Sequence, residues 1–315
     1  MLTAFVAAIS MSAASARAAL TEATIASLTH QPASRPVVEP MDDDARSGLS
    51  LSIEPYSVFG LETDFNAGGD VQIRRVGWRL TLSQPINRRW AVALNMTNEY
   101  SFTDFSLPAI IGGGDPFGAF TIVRAMPSLT WTGDVWSATF TGQFEYAAES
   151  GADVAGSLLG GAMVSVQKRV NDHLKMGLGI GVRTQLEDTL QLILFPRLDW
   201  RVSDTLRVFS ERFGVNVEKI LNDDWKATFK ASYEPRQYRL DNGAGDLFPD
   251  GVLRDQSVLV GVELAYQPRP GFLAALEVGG ILFQQFELLN ATGEEQFDDN
   301  ADPTLFVSGR FVFRF

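Results

Sequence analysis

Apolar and polar residues alternate along most of the chain after residue 48. The pattern is clearest in residues 304–315, where every second residue counted back from the end is apolar or Gly, and the last three of these are Phe311, Phe313 and Phe315. Successive side chains of a β-strand point to opposite faces. The segment is therefore predicted to be a strand with one apolar and one polar face.

The same alternation recurs in earlier segments of about ten residues, the length that a tilted strand needs to cross a bilayer. The apolar faces of the clearest ones begin at Trp90, Trp136, Leu174, Leu190, Trp225 and Val258. Some connections between segments are short and rich in Asn, Asp and Gly, as at residues 171–172 and 222–224, and such residues accept the angles of tight hairpins. The others are mostly longer, Gly-rich and acidic, as at residues 241–255 and 289–303. Short turns at one end and long loops at the other are typical of transmembrane barrels.

The turns also predict the number of strands. Six short turns, with both terminal strands ending on the turn side, give seven hairpins and therefore 14 strands. Residues 205–221 are short for two strands with a bend between them, so 12 strands remain an alternative. The predicted fold is all-β, a closed antiparallel transmembrane β-barrel of 12–14 strands, with 14 favoured, short periplasmic turns and longer outer loops.

A soluble β-sandwich would also give alternation, because one face of each strand would pack in a core. Two features argue against it. The polar faces hold charged side chains, as at Arg197, Asp199 and Arg201, and the strands outnumber the seven to nine of an immunoglobulin-type sandwich. A sheet that crosses a bilayer must close on itself to pair its backbone groups, which favours the barrel.

The C-terminal strand ending in Phe and the repeated Asn-Asp turns resemble those of Gram-negative outer-membrane β-barrel families of unknown function, across about residues 50–315. The resemblance implies a location in the bacterial outer membrane. It also implies that Phe311, Phe313 and Phe315 form the C-terminal signal read by the barrel-assembly machinery. The expected partners are that machinery, outer-membrane lipid and lipopolysaccharide.

The chain divides into three parts. Residues 1–18 are predicted to be a signal peptide, with an apolar core at residues 2–14 and small residues suited to cleavage after it; a disordered Ala/Ser-rich terminus is the alternative. Residues 19–48 are predicted to be a flexible periplasmic tail, or else a segment that folds into the barrel mouth. Residues 49–315 form the predicted barrel.

Composition removes several classes of function. The 315 residues include no Cys, which excludes thiol catalysis, thiolate metal sites and disulfides. The net charge of −12 and the lack of a basic stripe argue against nucleic acid as a partner. Of the two His residues, His30 lies in the tail and His173 in a predicted turn, and neither position suits a buried catalytic base. We therefore expect a protein that is not an enzyme, with no catalytic residues, metal site or cofactor.

The polar faces of the strands should line a lumen that is more basic than the acidic loops. Such a lumen suggests a small porin-like channel for small polar or anionic solutes, because rings of charged side chains make channels selective. The candidate lumen-lining residues are Arg79, Glu99, Glu145, Lys175, Arg183, Arg197, Asp199, Arg201, Lys226, Lys230, Glu263 and Arg310.

Two other functions remain open at this stage. Charged groups that pair across a narrow lumen would make a closed structural or surface-interaction barrel. A hydrophobic-ligand transporter would need an apolar internal pocket, for which Ile193, Phe195 and Phe306 are the inward candidates. The aromatics expected at the membrane interface are Trp90, Trp136, Trp200 and Trp225, since amphipathic rings prefer that position.

Overall fold

The computed structural model describes residues 48–106, 116–211, 213–243 and 248–315. The predicted signal peptide and nearly all of the predicted tail lie outside these ranges. Within them, no helix is both long enough and apolar enough to cross a membrane. The chain is almost entirely β-strand, with one 3-10 turn at Ala155–Ser157.

Sixteen strands follow one another in the described residues. They are β1 Ser50–Gly60, β2 Thr63–Asp64, β3 Asp70–Pro85, β4 Trp90–Ser106, β5 Phe120–Thr132, β6 Trp136–Glu149, β7 Leu158–Asn171, β8 Leu174–Gln185, β9 Asp188–Ser203, β10 Leu206–Glu211, β11 Gly214–Ile220, β12 Trp225–Arg239, β13 Val252–Arg269, β14 Phe272–Leu289, β15 Glu295–Ala301 and β16 Thr304–Arg314.

The strands form a closed antiparallel ring. Each long strand pairs with its neighbours in sequence, and β1 pairs with both β3 and β16, which joins the two ends of the sheet. The short strands β2 and β15 pair with β3 and β14 outside this ring. Fourteen strands therefore encircle the lumen, and the predicted count of 14 is confirmed.

Residues 205–221, on which the choice between 12 and 14 strands depended, contain two strands. β10 and β11 form a hairpin of six and seven residues, paired from Leu206↔Lys219 to Glu211↔Gly214. Both strands are much shorter than their neighbours β9 and β12, which have 16 and 15 residues. The hairpin therefore fills only part of the height of the wall.

The outer face of the ring is apolar over the height of a bilayer. On β9, for example, Leu190, Leu192 and Leu194 are 70%, 56% and 60% exposed, and Trp200 marks the turn end. Trp90 and Trp136 lie exposed at the same end, beside the short turns. A closed ring with an apolar outer face satisfies its backbone groups in lipid, and the protein is an outer-membrane β-barrel.

The pattern inverts near the long loops. There the inward positions are apolar, such as Val71 and Ile73, while outward Arg74 is exposed and pairs with Asp104. We call the resulting buried group the loop-end cluster. It comprises Phe65, Val71, Ile73, Phe105, Phe120, Ile122, Ala147, Leu159, Leu186, Tyr238, Leu240, Val252, Leu253, Phe286, Leu288, Leu289, Phe297 and Ala301.

Two segments expected to be long loops are partly strand. β13 begins at Val252, inside the predicted loop 241–255, and β15 lies within the predicted loop 289–303. Val252, Leu253, Phe297 and Ala301 are buried in the loop-end cluster. Burial of their side chains removes the adjacent backbone from water, and pairing in a sheet satisfies that backbone.

The closed ring predicts a heat-modifiable protein. The barrel refolded in mild detergent should migrate differently on a gel before and after boiling, because the closed sheet resists unfolding by detergent at room temperature. Identical migration of the two samples, together with recovery of the protein in a soluble fraction, would contradict a membrane barrel.

Candidate functional site: the barrel lumen

The alternation of each strand places the predicted lumen residues on the inner face. Arg79, Glu99, Glu145, Arg183 and Glu263 follow the buried positions of their strands. The others are Lys175, Arg197, Asp199, Arg201, Lys226, Lys230 and Arg310, of which Arg201 is exposed at the turn end. Their role in the passage of solutes stays a prediction.

Ion pairs inside the lumen join strands that lie several positions apart around the ring. Arg236 on β12 contacts Glu99 on β4 at 3.1 Å, and it also pairs with Glu234 at 2.7 Å. Arg75 on β3 reaches Asp255 on β13 at 2.7 Å and Glu234 at 3.5 Å. These five side chains are buried. They form a charged layer, the crossing network, that obstructs the lumen at this height.

A second group of ion pairs follows the wall. Arg310 pairs with Glu263 at 2.8 Å and with Glu54 at 3.3 Å. Glu54 also accepts a hydrogen bond from Arg79 at 2.5 Å. Lys230 bridges Glu263 at 2.6 Å and Glu277 at 3.0 Å. At these positions the predicted basic lining is thus neutralised by acids on nearby strands.

The sequence interpretation missed several inward charges, namely Glu54, Arg75, Arg124, Arg236 and Asp255. It assigned apolar positions to the outside, and that rule fails where the inner face becomes apolar near the loops. Val71 and Ile73 share the inner face with Arg75, so the rule applied there would place all three outside. Continuing the alternation from Arg79 toward the loop end of β3 would have placed Arg75 on the inner face.

A buried apolar cluster lies on the inner wall between β5 and β9, and we call its side chains the apolar pocket. Met126, Met163, Ile193 and Phe195 form a buried cluster there, and Phe213 at the tip of the β10–β11 hairpin packs against it. The facing positions of β8 are Gly177, Gly179 and Gly181. A Cβ atom on Gly179 would overlap the Phe195 ring, so the glycine lets the ring lie against the wall.

Of the three inward apolar candidates, two belong to this pocket. Ile193 and Phe195 are 0% and 5% exposed and are part of its cluster. Phe306 also faces inward, but it packs with Leu259 and Ile281 on the other side of the ring.

The wall beside the pocket is interrupted. β9 pairs with β10 only as far as Asp199, and β12 pairs with β11 only as far as Ser232. Above these points the facing edges of β9 and β12 pair with no strand of the hairpin. We call this gap, bounded by β9, β12 and the hairpin tip, the lateral window.

Both edges of the window carry a proline where pairing with the hairpin ends. The Ser210 hydroxyl bonds the Leu198 N–H and the Pro196 carbonyl, so these residues direct their backbone groups toward the hairpin. On the other edge the Tyr233 N–H donates to the Phe213 carbonyl. Every second residue points the same way, so Pro235 also faces the gap. Proline has no N–H, which removes one unpaired donor from each edge.

The loop between β8 and β9 closes the top of the window. The Leu186 N–H donates to Gln237 Oε1 at 3.2 Å, and Glu187 pairs with Arg239 at 2.5 Å. Arg239 also forms an isolated bridge with Ala148 of β6. The upper part of β12 is therefore held across the end of the barrel. The window is thus framed by protein along its whole rim.

No protein-family model matches the chain, and no curated protein matches it. Solved structures of outer-membrane barrels resemble it in fold. An outer membrane channel from Pseudomonas putida F1 is 8% identical, with 88% of this chain and 100% of that chain covered and a TM-score of 0.47. The Pseudomonas putida toluene transporter TodX is 8% identical, with 85% and 90% covered and a TM-score of 0.39. The translocator domain of the autotransporter NalP from Neisseria meningitidis is 10% identical, with 87% and 90% covered and a TM-score of 0.38.

Removal of one member of the crossing network should destabilise the barrel. Arg236→Gln leaves Glu99 and Glu234 buried without their shared cation, and we expect the free energy of unfolding to fall by about 3–5 kcal/mol. Chemical unfolding in detergent, followed by Trp fluorescence, measures the loss.

The matched control is Arg74→Gln on the outer surface. Its ion pair with Asp104 has side chains 48% and 60% exposed. Its removal should change stability by about 0–1 kcal/mol, because water screens exposed pairs. Equal effects of the two substitutions would show that the crossing network does not hold the opposite walls together.

Proposed function

We propose that the protein is a transport barrel that passes small, mainly apolar molecules between its lumen and the membrane through the lateral window. The observation that carries the proposal is the position of the window. Phe213 at its lower edge packs against the apolar pocket, at the height where Leu190, Leu192 and Leu194 form the lipid-facing side of β9.

An open pore for polar solutes is less well supported. Arg75, Arg236 and Arg310 contact acids, the crossing network spans the barrel, and the loop-end cluster covers the outer end. These groups obstruct the axial route for hydrated ions. An apolar molecule that enters or leaves sideways does not need that route.

A purely structural barrel is also less well supported, because it gains nothing from an interrupted wall. Unpaired backbone at membrane depth is costly and is tolerated where it lines a cavity or is covered by protein. Here Pro196 and Pro235 lower that cost at both edges, and the pocket lies directly behind. The sequence thus accommodates the gap while leaving it open.

Closing the window should abolish lateral passage. We would lengthen each arm of the β10–β11 hairpin by about four residues, or about 13 Å, with an alternating apolar and polar sequence. The substitutions Pro196→Val and Pro235→Val would restore the missing N–H groups. Cells that carry this variant should take up the apolar dye N-phenylnaphthylamine more slowly than cells with the native barrel, down to the rate of cells without it.

The control adds the same residues to the turn between β14 and β15, which extends a hairpin away from the window. That variant should keep the native uptake rate. Undiminished uptake by the closed-window barrel, confirmed as folded by its gel migration, would refute the lateral route.

The route can also be tested by thiol labelling, because the native chain has no Cys. Ile193→Cys places one thiol in the pocket, and it should react in liposomes with a lipid-soluble pyrene maleimide. Closing the window should slow the reaction. The reason is that the crossing network and the loop-end cluster leave the lipid as the direct access to this position.

Two further positions calibrate the labelling. Leu194→Cys faces lipid and should react in every background, whereas Leu259→Cys lies inward on the fully paired strand β13 and should react slowly. If Ile193→Cys reacts as slowly as Leu259→Cys, the window does not admit lipid-soluble molecules. Fast reaction with a charged, water-soluble maleimide would instead indicate an aqueous path from the turn end.

A further inference from the structure

Resting on the proposed lateral transport, we infer that the transported molecule is a small amphipathic monoanion, a carboxylate. Its head group binds Arg183 and Arg124, and its apolar body lies in the pocket formed by Met126, Met163, Ile193 and Phe195. Both guanidinium groups are buried, and some of their N–H donors have no acceptor in the described protein around them.

Arg183 extends from β8 into the lumen and is 2% exposed. Among the described residues, its Nε and Nη1 atoms have no hydrogen-bond partner. The Nη2 atom of Arg124, which is 3% exposed, also lacks one there. A buried guanidinium group is costly unless its N–H donors are satisfied, so these atoms mark a place for an acceptor.

The local charges leave room for one negative charge. Arg124 pairs with Glu145 at 2.8 Å, and Gln143 donates to the same carboxylate oxygen at 2.8 Å. The charged side chains that act most strongly on Arg183 are Glu145, Arg124 and Arg254. Arg254 itself faces Glu287 at 3.2 Å. Among the described residues no ion pair joins Arg183 to Glu145, so the two guanidinium groups and this one carboxylate together carry a net charge of +1.

The charge count also selects the class of anion. A monoanion neutralises the group, whereas a dianion would exceed its charge and meet Glu145, whose Oε1 atom is also without a partner among the described residues. A carboxylate has the planar geometry that accepts two parallel N–H bonds from one guanidinium group. We therefore favour a carboxylate over a phosphate.

The head-group site and the pocket lie at adjacent levels of the wall. Gly181 pairs with Met163 and Ile193, and Arg183 pairs with Gly161 and Gln191, two residues further along β8. Two residues of a strand span about 7 Å. A molecule with one carboxylate and an apolar body of similar length can bind Arg183 and fill the pocket at the same time, beside the window.

A matched pair of probes tests the inference. Binding of para-fluorophenylacetate and of the neutral para-fluorophenethyl alcohol to the purified barrel in zwitterionic detergent would be followed by fluorine NMR. The native barrel should prefer the carboxylate by about tenfold or more, since charge-assisted hydrogen bonds are about twice as strong as neutral ones. Arg183→Gln should abolish this preference, and Arg183→Lys should retain part of it, because it keeps the charge but loses the fork.

Two control variants distinguish the effect of Arg183 from that of another lumen charge and from that of the apolar pocket. Arg207→Gln removes a lumen charge near the turn end, where Arg207 pairs with Asp199 at 2.8 Å, and it should leave the preference unchanged. Met163→Trp fills the pocket and should weaken binding of both probes. Gel migration before and after boiling confirms that each variant is folded.

The outcomes distinguish the inference from the proposed function. If the native barrel binds the alcohol as tightly as the carboxylate, the anionic head group is wrong and apolar transport stands. If neither probe binds, the proposed function fails with it. A preference that survives Arg183→Gln would overturn the assignment of the head-group site.

Discussion

The rest of the structure depends on one requirement, that backbone N–H and C=O groups at membrane depth must find partners without water. Thirteen antiparallel pairings along the chain and the closing pair of β1 with β16 meet it around nearly the whole ring. The exception is the short β10–β11 hairpin. Its cost is reduced by Pro196, by Pro235 and by the Ser210 hydroxyl, which satisfies two backbone groups of β9. Because this requirement is met by pairing elsewhere in the described ring, the interrupted pairing at the hairpin indicates a specific role for that place.

Charged side chains in the lumen must also find partners. A buried carboxylate or guanidinium group is tolerated when it has an oppositely charged partner and its remaining hydrogen bonds are satisfied. Arg236, Arg75 and Arg310 each contact two acids, so they bind the walls to one another. Arg183 differs, because among the described residues it forms no ion pair and two of its nitrogen atoms have no protein partner. The contrast separates side chains that hold the barrel from one that is available to a ligand.

Much of the fold could be predicted from the sequence, because a strand at a lipid boundary must alternate and its turns must use Asn, Asp and Gly. The count of 14 depended on residues 205–221, and the hairpin there proved to be real but short. The inner charges were harder to predict. Phe105, Phe120 and Ile122 face inward near the loops, where they pack against one another, so an apolar residue there does not indicate the lipid side. The rule that finds Leu190 and Leu194 outside therefore misplaces Arg75 and Arg124.

The window and the pocket depend on contacts that no local pattern encodes. The glycines of β8 read as ordinary members of an alternating strand, yet Gly179 gives space to Phe195, which comes from the next strand. Phe213 reaches the same pocket because the hairpin ends there and not at the loop end. Shortening one hairpin thus has two effects: it opens the wall and it places an aromatic side chain at the opening. Ion pairs and the loop-end cluster thus lie across the axis of the barrel, whereas apolar side chains lie beside the interruption in its wall.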